Sequence, residues 1–194
     1  DNTLDIARQF GGTVIIEPQQ GVGKARRTGT SHAKGKYILH LDADTRLPAE
    51  YLTKMVRRFK TNKNLACLGG QLFFYDASGW LNLVRALSAY FFLFITRLFS
   101  WGKLGPMGNN MMFPKELYDK TKGFCPKLHF GEDAHLCKQL SKFGQIKLDM
   151  KLHYYISARR FKINKPFFHL AVNFAKILFG RKIKNYRPPH ADEL

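Results

Sequence analysis

Two aspartates one residue apart, Asp42 and Asp44, follow the apolar run of YILHLDADTRLP (residues 37–48) in a chain with 32 Lys and Arg against 14 Asp and Glu. Residues i and i+2 of an extended strand point the same way, so the two carboxylates share one side if the strand persists that far. A shared divalent cation would relieve their repulsion. The apolar run sets the pair at the carboxyl end of a strand, where open α/β sheets bind ligands. Oxygen ligands select a hard ion, Mg2+ or Mn2+, which keeps positions open for phosphate oxygens. A turn that caps a helix at Pro48 accounts for the same residues equally well.

Just upstream, GVGKARRTGTSHAKGKY (residues 21–37) joins small residues to Lys24, Arg26, Arg27, Lys34 and Lys36. The stretch is either an anion-holding element or a solvated basic helix. It lacks G-x-x-x-x-G-K-[ST], which disfavours a P-loop NTPase. A second acidic pair, Glu132 and Asp133, opens a helical pattern in FGEDAHLCKQLSKFG (residues 130–144), with Leu136, Leu140 and Phe143 on one side. Acids at a helix start commonly cap it and complement its dipole, and the same position suits a general base facing a ligand across a sheet edge. Cys125, His129, His135 and Cys137 crowd this region with spacings that match no common zinc pattern.

The elements that must position these groups alternate. DNTLDIARQFGG opens on capping residues and reads as a helix with Leu4, Ile6, Ala7 and Phe10 on a loose apolar face. GTVIIEP (12–18) and KYILHLDAD (36–44) read as buried strands. Pro48 fits the first turn of a helix with Leu52, Val56 and Phe59 at helical spacing. Residues 64–76 add strand material around a Gly pair, and residues 144–157 a late strand pair. This order implies α/β architecture, a mostly parallel sheet with helices on its faces. ALSAYFFLFIT (86–96) is too short and too closely flanked by Arg85 and Arg97 to span a bilayer, and is read as a core helix ahead of an interfacial one. From Arg159 to Arg187 nine Lys or Arg flank an aromatic amphipathic stretch without one acid, a pattern suited to an anionic membrane surface.

At 194 residues the chain suits one globular domain, and its formal charge of +18 predicts an anionic partner: membrane, nucleic acid or a phosphorylated substrate. Three cysteines argue against a disulfide framework and for a reducing compartment. The sequence starts without Met inside a helical pattern and is expected to begin within a larger protein. The terminal ADEL departs from the K-D-E-L and H-D-E-L retrieval signals, so no retrieval address is assigned.

Together these stretches resemble the family-two glycosyltransferases of GT-A fold, inverting enzymes that use nucleotide-sugar donors. DNTLDIARQFGG resembles that family's DGSxDxTxxIA segment, and GVGKARRTGTSHAKGKYILHLDADTRLP its GxxxARNxGxxxAxGxYIxFLDADxxxxP stretch. GNNMMFPKELYDKTKGF and FGEDAHLCKQL resemble its GxNxxxRRxxxxxxGGF and GED motifs. The resemblance implies a Rossmann-like GT-A domain over residues 1–161, lacking its first strands and their base-contacting acid, followed by a basic amphipathic tail over 162–194. It implies that Asp42 and Asp44 hold Mg2+ or Mn2+ and the donor diphosphate, and that Arg26 lies at the donor nucleotide. Asp133 would be the catalytic base, while Gly108, Asn109, Asn110 and Glu132 would lie on the acceptor side. Arg159 and Arg160 of SARR look like the family's late SxRR element, a phosphate contact; this differs from the QxxRW of processive synthases and favours transfer of a single sugar. Arg27 in place of the usual Asn, and Lys122 in place of the usual Gly, depart from the pattern.

The expected reaction is metal-dependent, inverting transfer from a UDP- or GDP-sugar to a lipid-linked or glycan acceptor. It would take place in the cytoplasm at the inner face of the membrane, in cell envelope glycan synthesis. A polyprenyl phosphate acceptor is already anionic, and Asp133 would then position it rather than deprotonate it. Two rivals stand beside this reading: a metal-dependent nucleotidyltransferase, which would release pyrophosphate, and a non-catalytic basic module for membrane or nucleic acid.

Overall fold

The computed structural model describes residues 2–100, 105–128 and 131–159, apart from the side chains of residues 89, 90 and 92–100. The elements run α1 (Thr3–Gln9), α2 (Val22–His32), β1 (Tyr37–Leu41), α3 (Tyr51–Thr61), β2 (Leu65–Phe74), α4 (Gly79–Ser100), β3 (Asn110–Pro114), α5 (Lys115–Asp119), α6 (Glu132–Leu140) and β4 (Gln145–Ile156). Among the described residues the strands form one sheet in the order β1-β3-β2-β4. β3 is antiparallel to both β1 and β2, and β4 is parallel to β2. β1, β2 and β4 therefore run in one direction, as an α/β chain should, but β3 between β1 and β2 makes the sheet mixed rather than mostly parallel.

Alternation along the strands divides the core between the two faces of the sheet. Leu68, Leu72, Met112, Leu152 and Tyr154 face α3, whereas Ala66, Met111 and Phe113 face Phe124, Leu136 and Leu140 on the α6 side. α3 buries Tyr51, Met55 and Phe59, at i, i+4 and i+8. The helix starts at Tyr51 rather than at Pro48, whose carbonyl accepts the Tyr51 N–H at 2.9 Å. The Tyr51 hydroxyl donates to the buried Asn110 at 2.6 Å and holds the Tyr51 face against the sheet, so Leu52 is 50% exposed instead of lying on the core face.

Three other expectations change. Residues 12–18 form no strand; Ile15 and Ile16 are exposed, and no described strand pairs with them. The anticipated late strand pair is the single strand β4, whose register against β2 jumps between Gly70 and Gln71, so that residues 150–152 bulge. Helix α4 is not simply a core helix, because Trp80, Leu83, Leu87 and Phe91 stand exposed at helical spacing. Its packed side carries Leu81 against the core and Asn82, which exchanges two hydrogen bonds with the Phe74 backbone. No helix among the described residues is long and apolar enough to cross a membrane. Helix α1 forms as expected but buries none of its residues.

The α3 stripe yields a stability contrast. Met55→Ala should cost about 2–4 kcal/mol in urea unfolding, against less than about 0.5 kcal/mol for the exposed Leu52→Ala.

Candidate active site

β1, β2 and β4 all end at one edge of the sheet, and the start of β3 lies at the same edge. Residues 42–46, 75–76, 107–109 and 157–159 therefore meet there, beside the start of α6. Asp42 and Asp44 are not in extended strand: β1 stops at Leu41, and the Thr45 N–H donates to the Asp42 carbonyl at 3.0 Å, closing a turn. The turn is pinned by Arg46, whose N–H and carbonyl exchange hydrogen bonds with Tyr155 of β4 at 2.8 and 3.0 Å. The Arg46 guanidinium lies 3.7 Å from the centroid of the Tyr75 ring.

The basic stretch at 21–37 is largely helix α2, and its Arg26 points into the site. One guanidinium nitrogen, Nη1, donates to Glu132 Oε1, and the other, Nη2, lies 3.3 Å from Asp42 Oδ1. The Arg26 and Glu132 side chains are only 13% and 8% exposed. Burial and the neighbouring Asp133 push the Glu132 carboxyl above its usual range, and Arg26 opposes them. Glu132, expected on the acceptor side, pairs with Arg26. Gly108 packs flat against the same guanidinium: a Cβ there would fall 1.8 Å from Arg26 Nη1.

Asp133 sits one residue into α6, which Gly131 enters with φ at 77°, a left-handed conformation that suits glycine. Its Oδ1 accepts the Ala134 N–H at 2.7 Å and its Oδ2 the Gly108 N–H at 2.8 Å. The carboxylate therefore caps its own helix and also reaches the 108–109 loop. Asn109 accepts from the buried Tyr154 hydroxyl at 2.8 Å. Asn110 does not line a pocket. It is 1% exposed, and its Oδ1 is taken by the Tyr51 hydroxyl and the Gly70 N–H, at 2.6 and 2.9 Å, because it is the first residue of the central strand β3.

Arg159 Nη2 stands 3.7 Å from Asp44 Oδ2. Arg160, His129 and the tail lie outside the described residues. Asp42 and Asp44 offer a hard cation oxygen ligands at an open edge, and among the described residues no three His, Cys, Asp or Glu gather as a complete metal cage. Two carboxylates with open positions fit a cation whose remaining ligands come from phosphate or water.

Sequence reasoning missed the support behind these groups. Thr30 gives its hydroxyl proton to the Arg26 carbonyl at 2.7 Å and lies 2.9 Å from His40 Nε2, so that nitrogen must carry the ring proton. Burial, with Arg26 nearby, pulls His40 down to about 4 and keeps it neutral. The two departures from the family pattern touch: Arg27 donates to the carbonyls of Lys122 and Phe124 at 3.4 and 3.2 Å. Asp76, overlooked, has the signal that singled out Asp42, an acid just past a buried apolar run.

A family model for Glycosyl transferase family 2 matches residues 1–122. The chain belongs to glycosyl transferase family 2. The matched part holds Arg26, Asp42, Asp44 and Gly108, whereas Glu132 and Asp133 lie beyond it. Among curated proteins the family-2 chain is 27% identical over 162 residues to a chondroitin synthase of Pasteurella multocida (strain Pm70) and, to the same extent, to a hyaluronan synthase of Pasteurella multocida. Each alignment covers 79% of this chain and 16% of the relative, so the chain spans about one-sixth of the curated relatives it matches.

Solved structures share its GT-A fold. A mannosyltransferase from Pyrobaculum calidifontis, in complex with GDP-Man and Mn2+, superposes with a TM-score of 0.64 at 16% identity, over 97% of this chain and 53% of that one. The glucosyl-3-phosphoglycerate synthase of Mycobacterium tuberculosis, in complex with Mn2+ and UDP-Glc, superposes with a TM-score of 0.62 at 15% identity, over 95% of this chain and 66% of that one.

The Arg26 pairing has a direct test. Glu132→Ala strands a buried guanidinium and should cost about 3 kcal/mol in chemical denaturation, whereas the double variant Arg26→Met/Glu132→Leu should regain most of that loss.

Proposed function

We propose that this chain is the GT-A part of an inverting glycosyltransferase that moves a single sugar from a UDP- or GDP-sugar to a lipid-linked or glycan acceptor. One observation carries the reading: Arg26 joins the Asp42 turn to the α6 start, so the two acidic motifs form one site, with Asp133 across Gly108. Family membership supports glycosyl transfer, and the metal and nucleotide-sugar complexes of the structural neighbours support the donor class.

In this reading Asp42 and Asp44 hold Mg2+ or Mn2+ against the donor diphosphate. The bound cation would neutralise charge on the departing nucleoside diphosphate. Arg26, held by Glu132 and Asp42, adds fixed positive charge beside the turn, and Arg159 adds a second positive charge near Asp44. The Gly108 and Ala134 N–H groups orient the Asp133 carboxylate, which takes the proton of the acceptor hydroxyl. The acceptor oxygen bonds to the anomeric carbon from the face opposite the leaving group, as the bond from that carbon to the diphosphate oxygen breaks. Inversion follows from that single displacement.

The exposed stripe Trp80, Leu83, Leu87 and Phe91 supports a membrane-surface placement, which this reading sets at the cytoplasmic face. Residues 77–115 contain no Asp or Glu, so nothing acidic on α4 opposes an anionic lipid surface.

Two experiments follow. With Mn2+ and a full-length protein, donor turnover should fall about 100-fold or more in both Asp44→Ala and Asp133→Asn, with one sugar added per acceptor; unaltered turnover in both variants would sink the site assignment. The full-length protein should cosediment with phosphatidylserine vesicles but not with pure phosphatidylcholine. Leu87→Glu/Phe91→Glu should release it, and retention of the double variant would remove α4 from the contact.

A further inference from the structure

Asp76 lies two residues past the end of β2, and its carboxylate holds the turn that leaves β4. Oδ2 accepts the Ser157 hydroxyl and Oδ1 accepts the Ala158 N–H, each at 2.6 Å. Ser157 Oγ then accepts the Arg159 N–H at 3.2 Å. Ser157 and Ala158 are buried, at 7% and 0% exposure, so the turn is fixed up to the residue at which Arg159 emerges. The Arg159 side chain is 61% exposed and close to Asp44. A long exposed side chain keeps much of its rotamer freedom, so its placement depends on how firmly its backbone is held.

A carboxylate suits this work because the Ser157 hydroxyl and the Ala158 N–H are both donors, each needing its own acceptor oxygen. Two further ties hold neighbouring backbone in place, the paired bonds between Arg46 and Tyr155 and the stacking of Arg46 on Tyr75. The ends of β1, β2 and β4 are thereby cross-braced, and between the last two Asp76 acts beside the Tyr75 N–H, which donates to the Ile156 carbonyl at 3.2 Å.

We infer that Asp76 is a positioning residue for the donor site, a latch on the β4 turn that sets Arg159 beside Asp44 so that the two face the donor diphosphate together. The inference rests on the reading of Asp42 and Asp44 as the diphosphate site. It adds a requirement which that reading does not contain, namely that diphosphate affinity depends on a residue that contacts neither metal nor phosphate.

The test is calorimetric binding of UDP and of GDP, each with Mn2+, to the full-length protein, with melting temperature followed alongside. Asp76→Ala and Arg159→Ala should each weaken the nucleotide that binds by about tenfold, and the double variant should bind no more weakly than Arg159→Ala alone. Asp76→Asn keeps one acceptor oxygen for the Ala158 N–H and should stay within about threefold of the parent. If Asp76→Ala fails to fold, Ser157→Ala replaces it in the same comparison. Unchanged affinity in Asp76→Ala with a lowered melting temperature would overturn the latch, as would a loss that adds to that of Arg159→Ala. Should Asp44→Ala also bind nucleotide as the parent does, or neither nucleotide bind at all, the diphosphate reading falls and takes the latch with it.

Discussion

The guanidinium of Arg26 is the interaction on which the site depends. A charge that is 87% covered is costly unless it is paired and hydrogen-bonded. Here the pairing comes from two directions, Glu132 at the start of α6 and Asp42 at the end of β1. Those carboxylates belong to segments 90 residues apart in sequence, and a single rigid planar group fixes the gap between them. Gly108 is constrained by the same group, since only a residue without Cβ leaves the guanidinium its place. Through the Gly108 N–H the constraint passes on to Asp133.

Around that centre the sheet supplies geometry rather than chemistry. Two cores, one on each face, clamp the four strands, so the segments leaving one edge start from fixed points. Backbone bonds between Arg46 and Tyr155 then join the turn after β1 to the strand farthest from β1 in the sheet. A loop tied at both ends can hold like charges close together without relaxing away from them.

Much of the site could be read from the sequence, because an acid that ends a buried apolar run is conspicuous in a basic chain. Asp42, Asp44 and Asp133 come to one edge, and the basic stretch is the helix that the solvated alternative named, except that Arg26 is turned inward and buried rather than solvated. The failures have physical causes. Asn110 sits in a motif that looks like a loop, but strand pairing carries it inside. At residues 48–59 the apolar residues fit more than one helix face, and the tie of Tyr51 to Asn110 turns Tyr51 and Met55 inward in place of Leu52. Residues 12–18 have strand composition, yet a strand exists only where a neighbour accepts its hydrogen bonds. Pairing across the sheet, and hence the insertion of β3 between β1 and β2, leaves no trace in local pattern.

The contact of Arg27 with the 122–124 loop bears on how this domain could be recombined with its relatives. At each of the two positions a side chain unusual for the family replaces the common one, and the guanidinium of one donates to the backbone of the other. Helix α2 and that loop are thus tied by the Arg27 side chain alone, because any residue at 122 presents the same backbone carbonyl. A chimera that keeps Arg27 keeps the tie whichever parent supplies the 122–124 loop, whereas one that brings the family's usual Asn to position 27 loses it.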